Sequence, residues 1–294
     1  MDRLLALSEE LASAVEQGGR GVFAVHARPR LPSTGVHWRS GLVVTASHTV
    51  HADDGVTLTG PDGRSATGTL VGRDPALDLA VFRVEAEGHA VAEVGDSSTV
   101  RVGHMVLALG AGPRASWGVV SAVGARSRHT DVELFSLDLT LYPGFSGGPL
   151  VDARGRVVGV ATSGMSRNLQ LAIPAAAVNR TVDELVRHGR IPRAYLGVAT
   201  QPVRVPAALR ESLGRGDEGA LIVVEVQPES PAAAGLVIGD VILAIDGTAV
   251  ADPVDLRRAL RADRIGQRVT ATVVRGGQAR DVELTIGERP RRAR

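Results

Sequence analysis

The 294-residue chain contains no cysteine, which excludes disulfides, thiolate metal sites and a cysteine nucleophile. Lysine is also absent, so all 33 basic residues are arginine. The formal net charge of +1 provides no overall field that would attract nucleic acid or an anionic membrane. Because a protein without thiols works in either redox compartment, the composition leaves its location open.

Long hydrophobic runs are missing as well, and no window approaches the length of a membrane span. In the first segment, residues 1–18, Leu4, Leu11 and Val15 recur at helical spacing while Glu9 interrupts any apolar run. A signal peptide needs a positive start and an unbroken apolar stretch, and this segment has neither. We therefore expect an amphipathic helix that packs on its own domain or on a partner subunit.

Beyond Gly21 the chain consists of short β-rich runs separated by Gly, Asp and Pro, which favours an antiparallel sandwich or barrel over βαβ units. The strand candidates are Val22–Val25, Leu42–Thr45, Val56–Leu58, Ala66–Val71, Leu79–Val84, Met105–Leu109, Val119–Val123, Val132–Leu139 and Val157–Ala161. Residues 174–188 have helical spacing, and Gly189 follows as a stop. We assign residues 19–190 to one mainly β domain.

After the linker Ile191-Pro192-Arg193 the pattern becomes that of a smaller α/β module, residues 191–288. Its strand candidates are Leu221–Val226, Val241–Ile245, Arg268–Val274 and Asp281–Ile286, with helices predicted over Pro231–Gly235 and Pro253–Ala262. The arginine-rich residues 289–294 are interpreted as a solvated basic tail.

A serine lies among glycines in Gly144-Phe145-Ser146-Gly147-Gly148-Pro149-Leu150. Glycine allows backbone angles closed to other residues, so this turn can expose a nucleophile, although Gly, Ser and Pro also make ordinary surface turns. A catalytic serine needs a histidine base that is oriented by a carboxylate. His48 directly follows one strand candidate and Asp78 directly precedes another. The order His48, Asp78, Ser146 is that of chymotrypsin-type enzymes.

Several stretches of the chain resemble the HtrA (DegP-like) family of trypsin-fold serine proteases. They are Thr45–Val50, Leu70–Pro75, Leu77–Val81, Gly95–Ser97, Gly118–Ser121, Gly144–Leu150 and Leu171–Pro174, and the resemblance extends over about residues 41–287. It implies a double β-barrel in which Ser146 attacks the scissile carbonyl, His48 transfers its proton and Asp78 holds the imidazole. It also implies an oxyanion hole made by the backbone N–H groups of Gly144 and Ser146.

Phe145 departs from the family pattern, which usually has Asn or Asp before the serine. A bulky apolar residue there can rearrange the oxyanion loop or pack beneath it. Thr140 stands six positions before the serine, where trypsin has the acidic residue that attracts basic side chains, so cleavage after basic residues is not expected. The resemblance implies an apolar substrate pocket lined partly by Leu141 and Leu171, which could equally belong to the barrel core.

The second module resembles a PDZ domain in Tyr195-Leu196-Gly197-Val198 and in several later stretches, namely Gly219–Val223, Ser230–Leu236, Gly239–Ile242 and Ile245–Gly247. Such domains bind a peptide C-terminus as an added strand, with loop N–H groups on its carboxylate. The resemblance assigns that loop to Tyr195, Leu196, Gly197 and Val198.

Two other functions share part of this sequence pattern. The motif G-x-S-x-G also occurs in α/β-hydrolases, but Gly147, Gly148 and Pro149 oppose the helix that must follow such a serine, and His188 is the only later histidine. We therefore reject that class. The other alternative, a catalytically dormant HtrA-like scaffold that binds peptides or acts as a chaperone, stays open because of Phe145.

We interpret the chain as an ATP-independent serine endopeptidase that cleaves unfolded or damaged proteins, with a PDZ domain for substrate capture or regulation. No metal or organic cofactor is expected. A homotrimer is implied by the resemblance alone. Members of the family are often exported, yet the start of the chain has no export signal, which favours the cytoplasm as an expectation.

Overall fold

The computed structural model describes residues 3–29, 31–52, 55–85, 88–127, 130–166, 168–212 and 218–290. The chain divides into two units, Met1–Ile191 and Pro192–Arg294. Each unit has its own hydrophobic core. No helix in the described part of the chain is long and apolar enough to cross a membrane.

The first unit begins with a closed six-stranded antiparallel barrel, barrel 1, in the order β1-β2-β3-β6-β5-β4. Its strands are β1 (Val22–His26), β2 (Ser33–Arg39), β3 (Leu42–Ala46), β4 (Val56–Thr59), β5 (Ser65–Asp74) and β6 (Leu79–Val84). Phe23, Val43, Leu58 and Phe82 are buried inside it. Closure leaves no unpaired edge strand.

A second closed barrel, barrel 2, has the order β10-β11-β12-β9-β8-β7. Its strands are β7 (Met105–Gly110), β8 (Arg114–Ser127), β9 (Thr130–Asp138), β10 (Pro149–Val151), β11 (Val157–Thr162) and β12 (Gln170–Pro174). The predicted mainly β, double-barrel fold is therefore confirmed. The prediction omitted β2, β10 and β12: β2 buries Ser33, Thr34 and His37, whose polar groups only tertiary contacts satisfy, whereas β10 and β12 have only three and five residues.

Two helices pack on these barrels: α1 (Arg3–Gly19) and α2 (Ala175–His188). The first packs on its own unit through Leu11, Ala14 and Gly18, where a Cβ atom would lie 2.8 Å from Val151. The second ends at Gly189, which adopts the left-handed conformation and donates its N–H to the Leu185 carbonyl over 2.8 Å.

The second unit contains a five-stranded antiparallel sheet in the order β14-β15-β16-β18-β19, with β17 on β16 and a separate β13–β20 pair. Its elements are β13 (Ala194–Tyr195), β14 (Val198–Arg204), α3 (Ala207–Ser212), β15 (Gly219–Val226), β16 (Val241–Ile245), β17 (Thr248–Ala249), α4 (Pro253–Ala259), β18 (Arg268–Arg275), β19 (Gln278–Thr285) and β20 (Gly287–Glu288). Leu221, Ile242 and Val273 lie in its core.

Several elements of this unit differ from the sequence prediction, which also lacked the short elements β13, α3, β17 and β20. The short helix expected over 231–235 is a 3₁₀ turn, Pro231–Ala234, and α4 ends at Ala259 rather than Ala262. The strand β14 was not predicted, because Pro202 interrupts its pattern. A proline is tolerated in β14 because the strand lies at the edge of the sheet, where half of the backbone groups need no partner in a neighbouring strand. Residues 291–294 of the expected basic tail lie outside the described residues.

Candidate active site

His48 and Asp78 are brought together by the register of barrel 1. Strand β3 ends and β6 begins at the paired residues Ala46 and Leu79, so the residues just beyond them are neighbours. His48 Nδ1 lies 2.7 Å from Asp78 Oδ2, and the His48 backbone N–H donates to Asp78 Oδ1 over 2.8 Å. With both carboxylate oxygens engaged by one residue, the imidazole has a fixed orientation.

Asp78 is 4% exposed and adopts a left-handed backbone with φ of 57°. Thr162, at the end of β11, donates its hydroxyl to Asp78 Oδ2 over 2.5 Å. Gly164 lies so close that a Cβ atom there would be 2.4 Å from His48 Nδ1 and 2.8 Å from Asp78 Oδ2. Barrel 2 therefore supplies the groups that enclose a histidine–aspartate pair carried by barrel 1.

Ser146 lies in the turn that precedes β10 in barrel 2. Its carbonyl accepts the backbone N–H of Thr34 from barrel 1 over 3.2 Å. A Cβ atom on Gly147 would lie 2.2 Å from the Thr34 carbonyl oxygen, and one on Gly148 would lie 2.1 Å from the Leu109 carbonyl oxygen. The two glycines after the serine are thus required because backbone from both barrels passes against them.

The Ser146 hydroxyl is hydrogen-bonded to Ser163, with 2.8 Å between the two Oγ atoms and 3.3 Å from the Ser163 N–H to Ser146 Oγ. Among the described residues no hydrogen bond joins Ser146 Oγ to His48. Catalytic contacts are commonly looser without substrate than in the reacting complex. For Ser146 to give its proton to His48, its side chain must leave Ser163 and rotate toward the imidazole.

A tight turn over residues 142–145 precedes the serine. The Phe145 N–H donates to the Tyr142 carbonyl over 3.0 Å, and Gly144 has φ of 94°, which makes this a type II turn. The Gly144 carbonyl accepts the Thr34 hydroxyl over 2.6 Å. In the part of the chain that the structure describes, the N–H groups of Gly144 and Ser146 donate to no other group.

Phe145 packs beneath the turn. Its ring is 1% exposed, lies in the core of barrel 2 and meets the Tyr142 ring edge-on at 5.7 Å. A Cβ atom on Gly110 would lie 2.6 Å from this ring, so the strand β7 leaves room for it. The sequence left two possibilities for Phe145, a rearranged oxyanion loop or packing beneath it, and the structure has the second.

A cavity of about 360 Å³ opens beside the candidate residues. Its lining includes His48, Gly144, Ser146 and Leu141. Leu171 is 4% exposed on β12, belongs to the hydrophobic core of the first unit and is not part of this lining.

In the second unit, Tyr195, Leu196, Gly197 and Val198 run from β13 into β14. Within the described residues, the N–H groups of Leu196 and Gly197 donate to no backbone or side-chain acceptor of the chain. Among the described strands, β14 pairs with β15 alone, so the other side of its backbone has no strand partner there. Helix α4 lies near β14. A Cβ atom on Gly197, which has φ of 87°, would lie 2.2 Å from Ser230 Cβ.

Four residues of the site were missed by sequence reasoning: Thr34, Thr162, Ser163 and Gly164. Thr162 and Ser163 directly follow the strand candidate Val157–Ala161, and this position is the only signal that could have drawn attention to them. Thr34 carries no such signal, because it reaches the Gly144 turn only when the two barrels have formed.

Two family models match the chain. A trypsin-like peptidase domain matches residues 33–160, and a PDZ domain matches residues 194–286. The probable periplasmic serine endoprotease DegP-like of Brucella suis biovar 1 is 36% identical over 280 residues, which cover 90% of this chain and 54% of that protein. Its counterpart in Rhizobium meliloti is 35% identical over 277 residues, with coverages of 90% and 54%. The chain spans about half the length of the curated relatives it matches.

Solved structures agree along nearly the whole chain. The HtrA-type protease AlgW with a tripeptide is 30% identical, has a TM-score of 0.77, and the match covers 96% of this chain and 98% of that one. The serine endoprotease from Yersinia pestis is 26% identical with a TM-score of 0.79, and the match covers 95% and 98%.

Proposed function

The chain belongs to the HtrA family of trypsin-like proteases with a PDZ domain, and on that premise we propose that it is a serine endopeptidase. Its substrates would be unfolded or damaged polypeptides, cleaved without ATP. The observation that carries the proposal is the joint placement of His48, Asp78 and Ser146. Barrel 1 supplies the hydrogen-bonded His48 and Asp78, barrel 2 supplies Ser146, and His48 and Ser146 line the same cavity.

The proposed reaction begins when Ser146 Oγ attacks the scissile carbonyl carbon and its proton passes to His48 Nε2. Asp78 accepts the Nδ1–H hydrogen bond and stabilises the imidazolium that forms. His48 then returns the proton to the leaving amine, which yields an acyl-enzyme. Water, deprotonated by the same imidazole, hydrolyses the ester and regenerates Ser146.

The negative charge that develops on the substrate oxygen needs preorganised donors. We assign them to the N–H groups of Gly144 and Ser146, because both lie at the lining of the cavity and neither is engaged within the described part of the chain. The apolar side chain of Leu141 in the same lining favours a substrate residue of small or medium size.

Labelling with a serine-directed fluorophosphonate tests the activity. We expect the purified chain to be labelled at Ser146 and to hydrolyse an unfolded protein such as reduced casein, and we expect Ser146→Ala to do neither. Ser121→Ala is the matched control, because it removes an exposed hydroxyl of β8 outside the site and should leave labelling in place. Absence of labelling in the wild type, with and without a peptide ligand, would contradict the proposal and favour the dormant scaffold.

For the PDZ unit we propose that a peptide C-terminus adds as a strand to β14, with its carboxylate on the N–H groups of Leu196, Gly197 and Val198. The uncommitted edge of β14 and the unused loop N–H groups support this assignment. Relatives have been solved with a decapeptide or a tripeptide. Binding should be lost when the peptide C-terminus is amidated, and equal affinity for both forms would contradict the proposal.

Assembly into a homotrimer is proposed from the family alone. The exposed Leu4 and Leu5 of α1 provide apolar surface that such an assembly could cover. Light scattering coupled to size-exclusion chromatography measures the mass directly, and a monomer at micromolar concentration would refute it.

A further inference from the structure

Arg114, which opens strand β8, contacts the turn that precedes the nucleophile. Its Nη1 donates to the Pro143 carbonyl over 3.2 Å and its Nε donates to the Ala111 carbonyl over 3.0 Å. The guanidinium carbon lies 5.2 Å from the centre of the Phe145 ring, which is a cation–π contact. Arg114 has no carboxylate partner among the described residues, so its charge is directed entirely at backbone carbonyls and an aromatic face.

We infer that Arg114 is a positioning residue that holds the Pro143–Gly144 peptide in the orientation needed for the oxyanion hole. A trans peptide is planar, so its C=O and N–H point in opposite directions. With the Pro143 carbonyl held by Arg114, the Gly144 N–H points away from Arg114. This inference rests on the proposed peptidase function and adds a group to it that the family resemblance did not assign.

The two faces of that peptide border different cavities. Gly144 and Ser146 line the cavity that also contains His48, whereas Arg114 lines a second cavity together with Phe145. Pro143 lines both cavities, and the peptide therefore lies between them. The Gly144 N–H, opposite the carbonyl that Arg114 holds, faces the cavity of the nucleophile.

The turn itself does not enforce this orientation. A type I turn and a type II turn share the hydrogen bond from Phe145 N–H to the Tyr142 carbonyl, and both accept the proline φ at the first central position. Gly144 can adopt either sign of φ at little cost. The two turns differ in which way the Pro143–Gly144 peptide points, so the group that binds the Pro143 carbonyl decides between them.

The neighbouring peptide is held independently of Arg114. The Thr34 hydroxyl donates to the Gly144 carbonyl over 2.6 Å, and Phe145 is anchored in the core of barrel 2. Loss of Arg114 should therefore release only the peptide before Gly144, and leave Ser146, His48 and Asp78 in place.

The kinetic test compares Arg114→Ala with Arg83→Ala, an exposed arginine of barrel 1 that serves as the matched control. Because removal of one oxyanion donor lowers kcat about 100- to 1000-fold and a released peptide still visits the competent orientation, we expect a fall of about 10- to 100-fold in kcat with little change in KM. The affinity for a peptide boronic acid, whose tetrahedral adduct uses the oxyanion hole, should fall in parallel. Added guanidinium at millimolar concentration should restore part of kcat in Arg114→Ala and leave Arg83→Ala unaffected.

Wild-type kcat and boronate affinity in Arg114→Ala would overturn the inference. A fall in kcat that follows a large loss of thermal stability, without guanidinium rescue, would also overturn it, because it would make Arg114 a purely structural residue.

A crystal structure of Arg114→Ala separates this inference from the proposed function. We expect the Pro143–Gly144 peptide to flip or to occupy two orientations, with Gly144 reaching negative φ, whether or not the wild-type protein hydrolyses peptides. An unchanged orientation would refute the role of Arg114, whereas absence of Ser146-dependent hydrolysis in the wild type would refute only the function.

Discussion

At the scale of single residues, the contact between His48 and Asp78 requires a residue without a Cβ atom at position 164. Gly164 faces His48 Nδ1 and Asp78 Oδ2 at distances that leave no space for a side chain. Its role cannot be read from the sequence, because no nucleophile or base motif includes it.

Gly164→Ala should therefore separate the imidazole from the carboxylate. A methyl group 2.4 Å from Nδ1 must displace the ring, and since misplacement of a catalytic group by about 1 Å costs on the order of 100-fold, we expect kcat/KM to fall by about that factor. Peptide hydrolysis measures the change. Gly19→Ala is the control, because a Cβ atom there meets nothing within 4 Å; equal activity of both variants would contradict the expectation.

A second residue-scale feature is the buried His37 on β2. It is 2% exposed, its Nδ1–H donates to the Ala90 carbonyl over 3.0 Å, and its Nε2 has no partner in the described part of the chain. Burial lowers the pKa of His37 below its ordinary value of 6.5, and the neighbouring His89 adds to the shift. Protonation in the folded state would leave a buried charge and an unpaired N–H.

Acid should therefore destabilise the first unit through His37. Because the pKa of His37 is lower in the folded state, the stabilising contribution is fully present above pH 6.5 and is lost as the pH falls through the folded-state pKa. We expect a slope of up to about 1.4 kcal/mol per pH unit in the free energy of unfolding, reduced in His37→Asn, whose side-chain amide can still donate to the Ala90 carbonyl from the position of Nδ1. Urea titrations measure the slope. The exposed His51→Asn is the control, and identical slopes in wild type and His37→Asn would refute the assignment.

At the scale of elements, a buried ion pair joins the start of β16 to the end of β18. Arg275 donates from Nε to Asp240 Oδ1 over 2.7 Å and from Nη2 to Oδ2 over 2.8 Å, and the Val237 N–H adds a bond of 2.9 Å. Burial works to raise the pKa of Asp240, but these hydrogen bonds outweigh it and hold the pKa below its ordinary value. Asp240 is fully buried, whereas Arg275 is one-third exposed.

Asp240→Ala should destabilise the second unit, because it removes the carboxylate that pairs with Arg275 and leaves the Val237 N–H without its acceptor. The Arg275 guanidinium then keeps only the Gly235 carbonyl, which accepts from Nη2 over 2.7 Å. Breaking a buried pair typically costs about 3–5 kcal/mol, and because Arg275 keeps some contact with water we expect about 2–3 kcal/mol. Chemical denaturation of the full chain, followed by hydrogen exchange, locates the loss. Replacing both partners, Asp240→Leu with Arg275→Met, should lower the free energy of unfolding by less than Asp240→Ala does, because no charge is left unpaired. A larger decrease in the double variant would contradict the assignment of the loss to the unpaired groups.

Elements with regular patterns were predictable and others were not. The alternating apolar strands and α2 have local signals that agree with their burial. Strand β2 and the edge strand β14 depend on tertiary partners: buried polar groups in β2 need acceptors from other strands, and Pro202 is acceptable in β14 only at an edge.

At the scale of the whole molecule, two separate hydrophobic cores mean that each unit has its own unfolding free energy. A ligand of one unit therefore raises the stability of that unit by mass action. A peptide that binds at β14, present at a free concentration of about 100 times its Kd, should raise the free energy of unfolding of the second unit by about 2.7 kcal/mol.

Calorimetry of the full chain, with and without such a peptide, checks this expectation, and the amidated peptide is the control. We expect one thermal transition to move upward and the other to stay in place. A shift of the transition assigned to the first unit alone would place the peptide in the cavity of Ser146 and contradict binding at β14.

By itself the sequence determined the mainly β class, the positions of the strands with regular apolar patterns and the chain order of His48, Asp78 and Ser146, since these depend on local periodicity and motif spacing. Only the tertiary structure decided how the turn at Gly144 is oriented, that Phe145 packs beneath it, and that Thr34, Thr162 and Arg114 contact the site. Those contacts join residues far apart in the chain, and their energies exist only when the two barrels bring the groups within hydrogen-bonding distance.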